Sequence, residues 1–252
     1  MKARPSDWYK YNWSLEIKKQ SWVEDTEQQV DFMIQTMHLT GKERILDLAC
    51  GYGRHALSLA QRGYTVVGVD ITKEYIEDAR KSAAKLALQN IEFIHSDIRE
   101  VYYENEFDVV LNLADGAIGY LENNEENLKI FDVIAKALKP GGVHCMDICN
   151  AEYADRYFPM RGWEIGTKSL ALSEFEWNPD TRIMLFGGAD IPFGQPAEPP
   201  VISEGDPTRL YSLKEINGIM EARGMRVEHA FCDFYGKPAS GDDLQLIIFS
   251  KK

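Results

Sequence analysis

The chain has 252 residues, of which 44% are hydrophobic, and this is enough to bury the core of one larger α/β domain or of one domain with an insertion. Its 40 acidic and 28 basic residues give a net charge of −12, and no basic patch is visible along the sequence. Such a surface repels polyanions and argues against DNA, RNA or an anionic membrane as a partner.

The N-terminus and the cysteines favour a cytoplasmic protein. Residues 1–8 lack the apolar core of a secretion signal, and no run approaches the ~20 apolar residues of a membrane span. Cys50, Cys145, Cys149 and Cys232 form no CxxC pair, so we interpret them as small buried side chains in a reducing compartment. The five histidines are isolated from one another, and we expect no metal site.

The first 150 residues predict a strand–helix alternation after an aromatic N-terminal segment. The predicted elements are a helix over 26–38 ended by Gly41, strand 44–49, helix 54–62 ended by Gly63, strand 65–69, helix 72–88 with Thr72 as N-cap, strand 91–95, strand 107–112, helix 124–138 ended by Pro140-Gly-Gly142, and strand 143–148. Strands that are nearly continuous apolar runs and alternate with helices predict an α/β fold with a doubly wound, mostly parallel sheet.

The pattern changes after residue 150. Residues 163–187 are typical of short strands, with turns at Gly162 and at Asn178-Pro179-Asp180. Residues 187–207 contain five of the 10 prolines and predict a loop. We therefore interpret 151–207 as a β-rich insertion that forms a lid or cap.

The regular pattern resumes at the C-terminal end. Ser212 is the predicted N-cap of a helix over 213–223, which Gly224 ends. Strands 225–232 and 243–250 follow, joined by a loop too short for a crossover helix. This predicts an antiparallel hairpin.

The most informative motif is Ile45-Leu-Asp-Leu-Ala-Cys-Gly-Tyr-Gly-Arg54, followed by Val66-Val-Gly-Val-Asp70. Gly51 and Gly53 lack a Cβ, so the backbone can turn sharply and approach a ligand at the N-terminus of the next helix. Asp70 ends the second strand, where a carboxylate can accept hydrogen bonds from both hydroxyls of a ribose. Taken alone, this pattern also fits a nicotinamide or flavin enzyme.

Three further features favour a different cofactor. Asp47 precedes the glycines inside the strand, where it would repel a pyrophosphate but suit a molecule with an ammonium and a sulfonium centre. Asp97 and Ile98 follow the third strand, where an acid and an apolar side chain can bind an adenine amino group and pack on its face. The terminal hairpin is a feature that the nicotinamide fold usually lacks.

With these residues in place, the chain resembles the class I S-adenosylmethionine-dependent methyltransferases. LDLACGYGRHALSLAQRGYTVVGVDIT resembles their first two motifs, IHSDIREV the adenine motif, FDVVLNLADGAIGYL the fourth-strand motif, and ALKPGGV the stretch before the fifth strand. The resemblance covers 40–150 closely, and 208–252 by its helix and hairpin. It implies a Rossmann-like methyltransferase fold, with a seven-stranded sheet whose last strand is antiparallel and with the β-rich insertion after the fifth strand.

The resemblance also implies cofactor-binding roles for individual residues. The amino-acid tail would be held by Asp47, Ala49, Cys50 and Gly51, and Gly53 would permit close approach. Asp70 would bind the ribose with Ile71 beside the adenine, Asp97 and Ile98 would hold the adenine ring, and Asn112 and Leu113 would lie beside the methionine part. Separately from the resemblance, we expect the N-terminal aromatic residues to fold over the same edge of the sheet, with Trp13 and Trp22 as walls of the site.

The sequence indicates less about the residues that contact the methyl acceptor. Asn112-Leu-Ala-Asp-Gly-Ala-Ile-Gly119 lacks the Asn/Asp-Pro-Pro-Tyr/Phe motif of DNA and protein-glutamine N-methyltransferases, which, with the net charge, argues against a nucleic-acid acceptor. It is closer to small-molecule methyltransferases, including those of amino sugars. The candidates for acceptor contact are Asp115, Tyr120, Arg209, Tyr211 and Tyr235. For Arg209 we favour a surface salt bridge, and for Tyr211 a core position beside the helix start.

We therefore expect a cytoplasmic, metal-independent enzyme that moves a methyl group from S-adenosylmethionine to a nitrogen or oxygen of a small molecule. Four segments are distinguished: 1–40 as a helical and aromatic lid, 41–150 as the cofactor-binding core, 151–207 as the inserted lid or cap, and 208–252 as the helix and hairpin that complete the core. Two alternatives remain open, a nicotinamide- or flavin-dependent oxidoreductase and a non-catalytic S-adenosylmethionine-binding protein. The oligomeric state is also open, since the aromatic residues between Trp8 and Trp22 would suit a dimer surface equally well.

Overall fold

The computed structural model describes residues 1–20, 23–166, 168–196 and 198–252, which form two β-sheets and six helices. The elements are β1 (Lys2–Ala3), α1 (Thr26–Thr36), β2 (Arg44–Leu48), α2 (Arg54–Gln61), β3 (Thr65–Asp70), α3 (Lys73–Lys85), β4 (Ile91–His95), β5 (Phe107–Asn112), α4 (Asn124–Ala137), β6 (Leu138–Cys149), α5 (Ala151–Tyr157), β7 (Met160–Ile165), β8 (Ser169–Asn178), β9 (Ile183–Pro192), β10 (Glu204–Arg209), α6 (Leu213–Glu221), β11 (Arg226–Phe231) and β12 (Gln245–Lys251). Short 3₁₀ turns lie at Trp8–Lys10 and Leu15–Lys19.

The larger sheet has seven strands in the order β11-β12-β6-β5-β2-β3-β4. Neighbours from β6 to β4 pair in parallel, whereas β12 is antiparallel to both β6 and β11. Both faces of the sheet are covered: Leu46 and Leu48 belong to one hydrophobic cluster, whereas Ile45 belongs to the other. The expected Rossmann-like methyltransferase fold, with an antiparallel last strand, is confirmed.

The segment after β6 forms most of a second sheet, in the order β1-β10-β9-β8-β7. The strands expected here are longer than predicted. Gly162 lies inside β7 rather than at a turn, and β9 and β10 occupy both ends of the range 187–207 that we expected to be a loop. The turn at Asn178 is present, because its side chain accepts hydrogen bonds from the N–H groups of Asp180 and Thr181 at 3.0 and 3.1 Å.

Several helix ends differ from prediction for local reasons. The left-handed residue after α1 is His38, with φ of 54°, so the helix ends before Gly41. Thr72 occupies the N-cap position of α3, but its side chain does not cap the helix and instead bonds to Asp70. α4 ends at Ala137, and Pro140 lies within β6. Ser212 does cap α6, in a capping box with Glu215.

The N-terminal segment packs on β10 of the smaller sheet, and its Trp8 and Tyr9 belong to the hydrophobic cluster that contains Leu46 and Leu48 of the larger sheet. β1 pairs in parallel with β10, and the indole Nε1 of Trp8 donates to the carbonyl oxygen of Pro207 at 3.1 Å. Trp8 and Tyr9 are buried within the chain itself, at 5% and 4% exposure, so the dimer-surface alternative does not apply to these two side chains. Trp22 lies outside the described residues.

Within the part of the chain that the structure describes, every helix is too short or too polar to cross a lipid bilayer.

Candidate functional site

A cavity of about 930 Å³ lies at the carboxyl ends of the parallel strands. Its floor comes from the turns after β2, β3, β4, β5 and β6. Its opposite wall comes from β8 and β9 of the smaller sheet and from the N-terminal segment, including Trp8 and Trp13. The cavity therefore lies where an open α/β sheet binds its ligands, and the smaller sheet covers its opposite side.

The glycine turn after β2 and the end of β3 form one hydrogen-bonded unit. Asp70 accepts hydrogen bonds from the N–H of Gly51 at 2.8 Å and from the N–H of Thr72 at 2.7 Å. Burial raises the pKa of the Asp70 carboxyl, and these two N–H groups partly oppose that effect. Gly51 has φ of 56°, and Ala49 shares this left-handed conformation at 57°. The cavity is lined by Asp70, Gly51, Ala49, Cys50 and Ile71.

Gly53 has a different place from the one that the resemblance implies. It begins α2 as the N-cap residue with φ of 80°, and it is not among the described residues that line the cavity. A Cβ at this position would lie 2.6 Å from Cζ of Phe93. The close approach that requires glycine here is therefore to a core ring of β4.

Asp47 lies on β2 beneath the turn and is only 2% exposed. Its Oδ2 atom is buried, meets no hydrogen-bond donor among the described residues, and belongs to a side chain that borders the cavity. Burial raises the pKa of Asp47 to about 7, since the favourable charge of Arg54 only partly offsets the loss of water and Asp70 adds repulsion. A cationic group of a ligand would provide the partner that this oxygen lacks.

Asp97 and Ile98 also border the cavity, and Asp97 is held by a network that the sequence did not predict. Arg99 donates to both carboxylate oxygens of Asp97, at 3.0, 3.1 and 2.6 Å. Although burial raises the pKa of Asp97, the hydrogen bonds from Arg99 outweigh it and the pKa is lowered. Arg99 further contacts Glu122 at 3.0 Å and Glu126 at 2.6 Å, and the Tyr9 hydroxyl at 3.2 Å. This network ties the N-terminal segment to the loop after β4.

The loop after β5 has an unusual backbone. Residues 114–117 all have positive φ, between 51° and 67°, although only Gly116 is a glycine. Left-handed conformations cost about 1–2 kcal/mol for other residues, so the surroundings must hold this turn. Asn112 does so by donating to the carbonyl of Gly116 at 2.9 Å, and Asp115 by donating its N–H to the carbonyl of Asp147 at 2.8 Å.

This arrangement separates two predicted neighbours of the methionine part. Leu113 lines the cavity, whereas Asn112 is completely buried below it and bonds to Gly116 and to His144, the latter at 3.2 Å. Two of the candidate acceptor residues are brought together, because the Tyr120 hydroxyl donates to Asp115 at 2.7 Å and both line the cavity. Burial raises the pKa of Asp115, and the hydrogen bond from Tyr120 opposes this.

Asp147 on β6 is a cavity residue that the sequence reasoning missed. It is 8% exposed and accepts a hydrogen bond from Nε2 of Gln245 at 3.0 Å. Burial and, to a lesser extent, the charge of Asp115 together raise the pKa of Asp147 to about 7. An acid inside the apolar run of strand 143–148 was the available signal, of the same kind as Asp47 in strand 44–49.

Three aromatic rings form one wall of the cavity. Trp8 lies 5.5 Å from Trp13 and 5.0 Å from Tyr120 between ring centroids, and Trp13 and Tyr120 are stacked at 6.0 Å. Trp13 was predicted as a wall from its position in the N-terminal segment. Its partner Trp8 completes the wall.

The remaining acceptor candidates do not line the cavity. Arg209 is paired with Glu215 at 2.5 Å, and Tyr211 is a core residue, 2% exposed, whose hydroxyl donates to Asn124 at 3.0 Å. The salt bridge and the core position that we favoured for these two are confirmed. Tyr235 is 73% exposed on the loop before β12. These three are corrected as site candidates because their backbone segments turn them to α6, to the core and to solvent.

The four cysteines are free, and Cys50 and Cys149 border the cavity. No group of three or more His, Cys, Asp or Glu side chains suited to a metal ion occurs within residues 1–20, 23–166, 168–196 and 198–252.

A family model described as a methyltransferase domain matches residues 39–182. Among curated proteins, the chain is 32% identical over 122 residues to the putative methyltransferase YqeM of Bacillus subtilis (strain 168), a match that spans 48% of each protein. Among solved structures, it is similar to an S-adenosylmethionine-dependent methyltransferase from Clostridium acetobutylicum ATCC 824, with a TM-score of 0.75, 17% identity, and coverage of 94% of this chain and 96% of the other. It is also similar to CalS10, an amino pentose methyltransferase from Micromonospora echinaspora with bound S-adenosylmethionine, with a TM-score of 0.69, 17% identity, and coverage of 93% and 92%.

The chain spans about half the length of the curated relatives it matches. The two structural likenesses extend over nearly the whole chain, and at 17% identity they establish a shared fold.

Proposed function

The chain belongs to the family of methyltransferase domains, and on that premise we propose that it transfers the methyl group of S-adenosylmethionine to a nitrogen or oxygen atom of a small molecule. The observation that carries the proposal is the cavity of about 930 Å³ between the two sheets, which is bordered by Asp47 with its unpartnered carboxylate oxygen. A cavity of this size accommodates two small molecules side by side, and the smaller sheet covers its acceptor side.

The cofactor half of the cavity contains side chains that suit S-adenosylmethionine. Asp47 offers a carboxylate to the ammonium group of the amino-acid tail, and the Gly51 turn offers backbone without a Cβ. Asp70 offers a carboxylate to the ribose hydroxyls, while Asp97, with Ile71 and Ile98 beside it, borders the part assigned to the adenine. Asn112 supports the loop rather than the cofactor in this assignment, since its amide is used by Gly116.

The chemistry places modest demands on the protein. When bound, S-adenosylmethionine supplies a methyl group already activated by its sulfonium centre. The residues of this chain then have to align the acceptor in line with that methyl group and exclude water. The smaller sheet, the aromatic wall and the loop around Asp115 surround the remaining space and suit both tasks. We assign the segment 151–207 the role of a cap over the acceptor, and residues 1–40 the role of a lid.

Small-molecule acceptors are favoured over nucleic acids. The cavity lies between two sheets, and the chain carries a net charge of −12, which opposes binding of a polyanion. The amino pentose methyltransferase CalS10, to which the fold is similar, acts on a small molecule by its description. The oxidoreductase alternative is disfavoured because Asp47 would face a pyrophosphate with a buried carboxylate.

The test is isothermal titration of the purified chain with S-adenosylhomocysteine, with NADH as the control ligand. We expect binding in the micromolar range for the first and none for the second. Methyl transfer is then measured with isotope-labelled S-adenosylmethionine against a library of amines and hydroxyl compounds. Binding of NADH alone would reject the proposal, and binding of S-adenosylhomocysteine without transfer to any acceptor would favour a non-catalytic binding protein.

A further inference from the structure

The side chains that border the cavity carry an excess of negative charge, which favours some methyl acceptors over others. Eight acidic side chains border the cavity, and Arg54 is the only Lys or Arg among the described residues that do so. The acids are Asp47, Asp70, Asp97, Asp115, Asp147, Glu164, Asp190 and Asp206. A site with this balance attracts cations and opposes anions.

Several of these acids already have a role. Asp97 is paired with Arg99 at 2.6 Å, and Asp206 with Arg4, also at 2.6 Å. Asp47 and Asp70 lie at the glycine turn and belong to the cofactor half. Glu164 and Asp190 lie on β7 and β9 of the smaller sheet, across the cavity from its floor. The two acids that remain at the floor of the acceptor half are Asp115, in the loop after β5, and Asp147, on β6; the N–H of Asp115 donates to the carbonyl of Asp147 at 2.8 Å.

Asp115 and Asp147 are held by neutral donors. Tyr120 donates to Asp115 at 2.7 Å, and Gln245 donates to Asp147 at 3.0 Å. Arg54 lowers the pKa of Asp147, but burial and the charge of Asp115 outweigh it. The charge of Asp115 raises the pKa of Asp147, so the two carboxyls repel each other when both are ionised. A ligand cation bound to both would relieve this repulsion and the burial cost.

The aromatic wall adds a second kind of attraction for a cation. Tyr120 bonds to Asp115 through its hydroxyl, and its ring lies 5.0 Å from that of Trp8. Both rings border the cavity. Ring faces attract ammonium groups, most strongly where water is excluded. In the cofactor half of the same cavity, the buried and unpartnered Oδ2 of Asp47 offers a further place for a positive charge.

We propose, on the basis of the proposed function, that the acceptor is a basic amine, bound as its ammonium ion by Asp115 and Asp147 beside the rings of Trp8 and Tyr120.

The same two carboxyls can accept the proton that an ammonium acceptor must lose before it reacts. An ammonium group has no free electron pair, so it must first give a proton to one of the two carboxylates. The electron pair of the nitrogen then forms the N–C bond while the C–S bond breaks and sulfur keeps its electron pair. The products are S-adenosylhomocysteine and the N-methylated acceptor as its ammonium ion. A pKa near 7 for Asp147 suits a group that accepts a proton near neutral pH.

A hydroxyl acceptor is less well served by these residues, because it needs a strong general base to become a nucleophile. His55 is the one imidazole that borders the cavity in the described parts of the chain. It is hydrogen-bonded to Gln29 at 2.8 Å, and burial holds its pKa well below the usual range. The carboxyls are too weak as bases for an alcohol but sufficient for an ammonium ion.

The experiment compares amines with hydroxyl compounds of matching shape on the full chain saturated with S-adenosylhomocysteine. The probes are 2-phenylethylamine with 2-phenylethanol, cyclohexylamine with cyclohexanol, and D-glucosamine with D-glucose, each titrated calorimetrically at neutral pH. We expect at least one amine to bind about tenfold or more tightly than its hydroxyl partner, which is the range for a hydrogen bond to a charged group.

The preference should depend on the two acids. Asp115→Asn and Asp147→Asn should each reduce the preference for the amine by about tenfold while affinity for the hydroxyl partner changes little. Glu221→Gln is the matched control, since Glu221 is an exposed acid on α6 that does not border the cavity, and it should leave the preference unchanged. If one variant fails to fold, the other variant and the comparison of ligands on the unaltered chain still decide the question.

The outcomes separate the two proposals. If the unaltered chain does not bind S-adenosylhomocysteine, the proposed function itself is rejected. Normal binding of S-adenosylhomocysteine, with amines no better than their hydroxyl partners in all three pairs, overturns the amine inference and leaves the proposed function intact. Methyl transfer to the hydroxyl members alone would overturn it as well.

Discussion

The carboxylate of Asp70 accepts a hydrogen bond from the backbone N–H of Gly51, with 2.8 Å between Oδ2 and the nitrogen. This contact joins the end of β3 to the turn after β2, across 19 positions of the chain. The acid assigned to the ribose and the glycine turn assigned to the amino-acid tail therefore form one unit. A change at Asp70 acts on both the ligand and the turn.

Replacing Asp70 with Asn should weaken the binding of S-adenosylhomocysteine by about 1–1.5 kcal/mol, because the neutral amide makes weaker hydrogen bonds with ribose hydroxyls than a carboxylate does. Isothermal titration measures this loss. The control is Asp132→Asn, an exposed acid on α4 that pairs with Arg223. Equal affinities for both variants would show that the end of β3 does not hold the ribose.

Replacing Asp47 with Asn should stabilise the ligand-free protein at high pH. The pKa of Asp47 is raised by burial to about 7 in the folded chain, against ~3.9 in an unfolded one. The cost of ionising it therefore appears as the pH rises from 4 and is complete above 7. An uncharged amide at this position removes the cost, so the difference in unfolding free energy between variant and parent should grow by on the order of 2–4 kcal/mol from pH 4 to pH 8.

Urea unfolding at a series of pH values, without ligand, measures the difference at Asp47. Taking the difference cancels the titration of the other buried groups, although Arg54 and Asp70 face Asp47 and are part of its environment. The same variant should bind S-adenosylhomocysteine more weakly, since a carboxylate for the ammonium group is lost. A pH-independent difference would mean that Asp47 is ionised in the ligand-free fold throughout this range.

Replacing Gly53 with Ala should destabilise the fold by more than the same change at Gly63. Both glycines have positive φ, 80° and 98°, and this strains any other residue by about 1 kcal/mol. A Cβ at Gly63 meets nothing within 4 Å, whereas at Gly53 it lies 2.6 Å from the Phe93 ring. We expect a further cost of about 1–3 kcal/mol at Gly53 from this overlap. Thermal unfolding of the two variants measures it, and equal losses would contradict the packing explanation.

Replacing Arg99 with Ala should loosen the N-terminal segment and weaken cofactor binding together. Arg99 joins Asp97 at the cavity to Glu122 and to the Tyr9 hydroxyl, so its loss leaves these groups without their shared partner. Limited proteolysis should cut the N-terminal segment faster, and the affinity for S-adenosylhomocysteine should fall about tenfold.

Arg226→Ala provides the control for the Arg99 variant. Arg226 is largely exposed and pairs only with nearby Glu228 on β11 among the described residues. It should change neither proteolysis nor affinity. Faster cutting at Arg99→Ala without a change in affinity would mean that the segment does not contribute to the cofactor site.

Much of the fold could be predicted because its determinants are local. The apolar runs of β2 to β6 and the helical spacing between them follow directly from the sequence, and the strand bounds agree within a few residues, with β6 beginning earlier than expected. The acids at strand ends, such as Asp70 and Asp97, were found because a parallel sheet places all its carboxyl ends at one edge. The smaller sheet was underestimated because its strands are polar at many positions and are rich in proline near β9 and β10.

The sequence by itself determined the parallel sheet, the glycine turn and the three acids around it, because these depend on residue type and on spacing within a strand and its following turn. Only the tertiary structure decided which side chains share the cavity. It places the rings of Trp8 and Tyr120 in contact although they are 112 positions apart in the chain. Asp147 lies beside Asp115 at the cavity. The cavity is not lined by Arg209, Tyr211 or Tyr235. Contacts of this kind depend on how loops from distant segments pack against one another, and no local pattern in the chain encodes that packing.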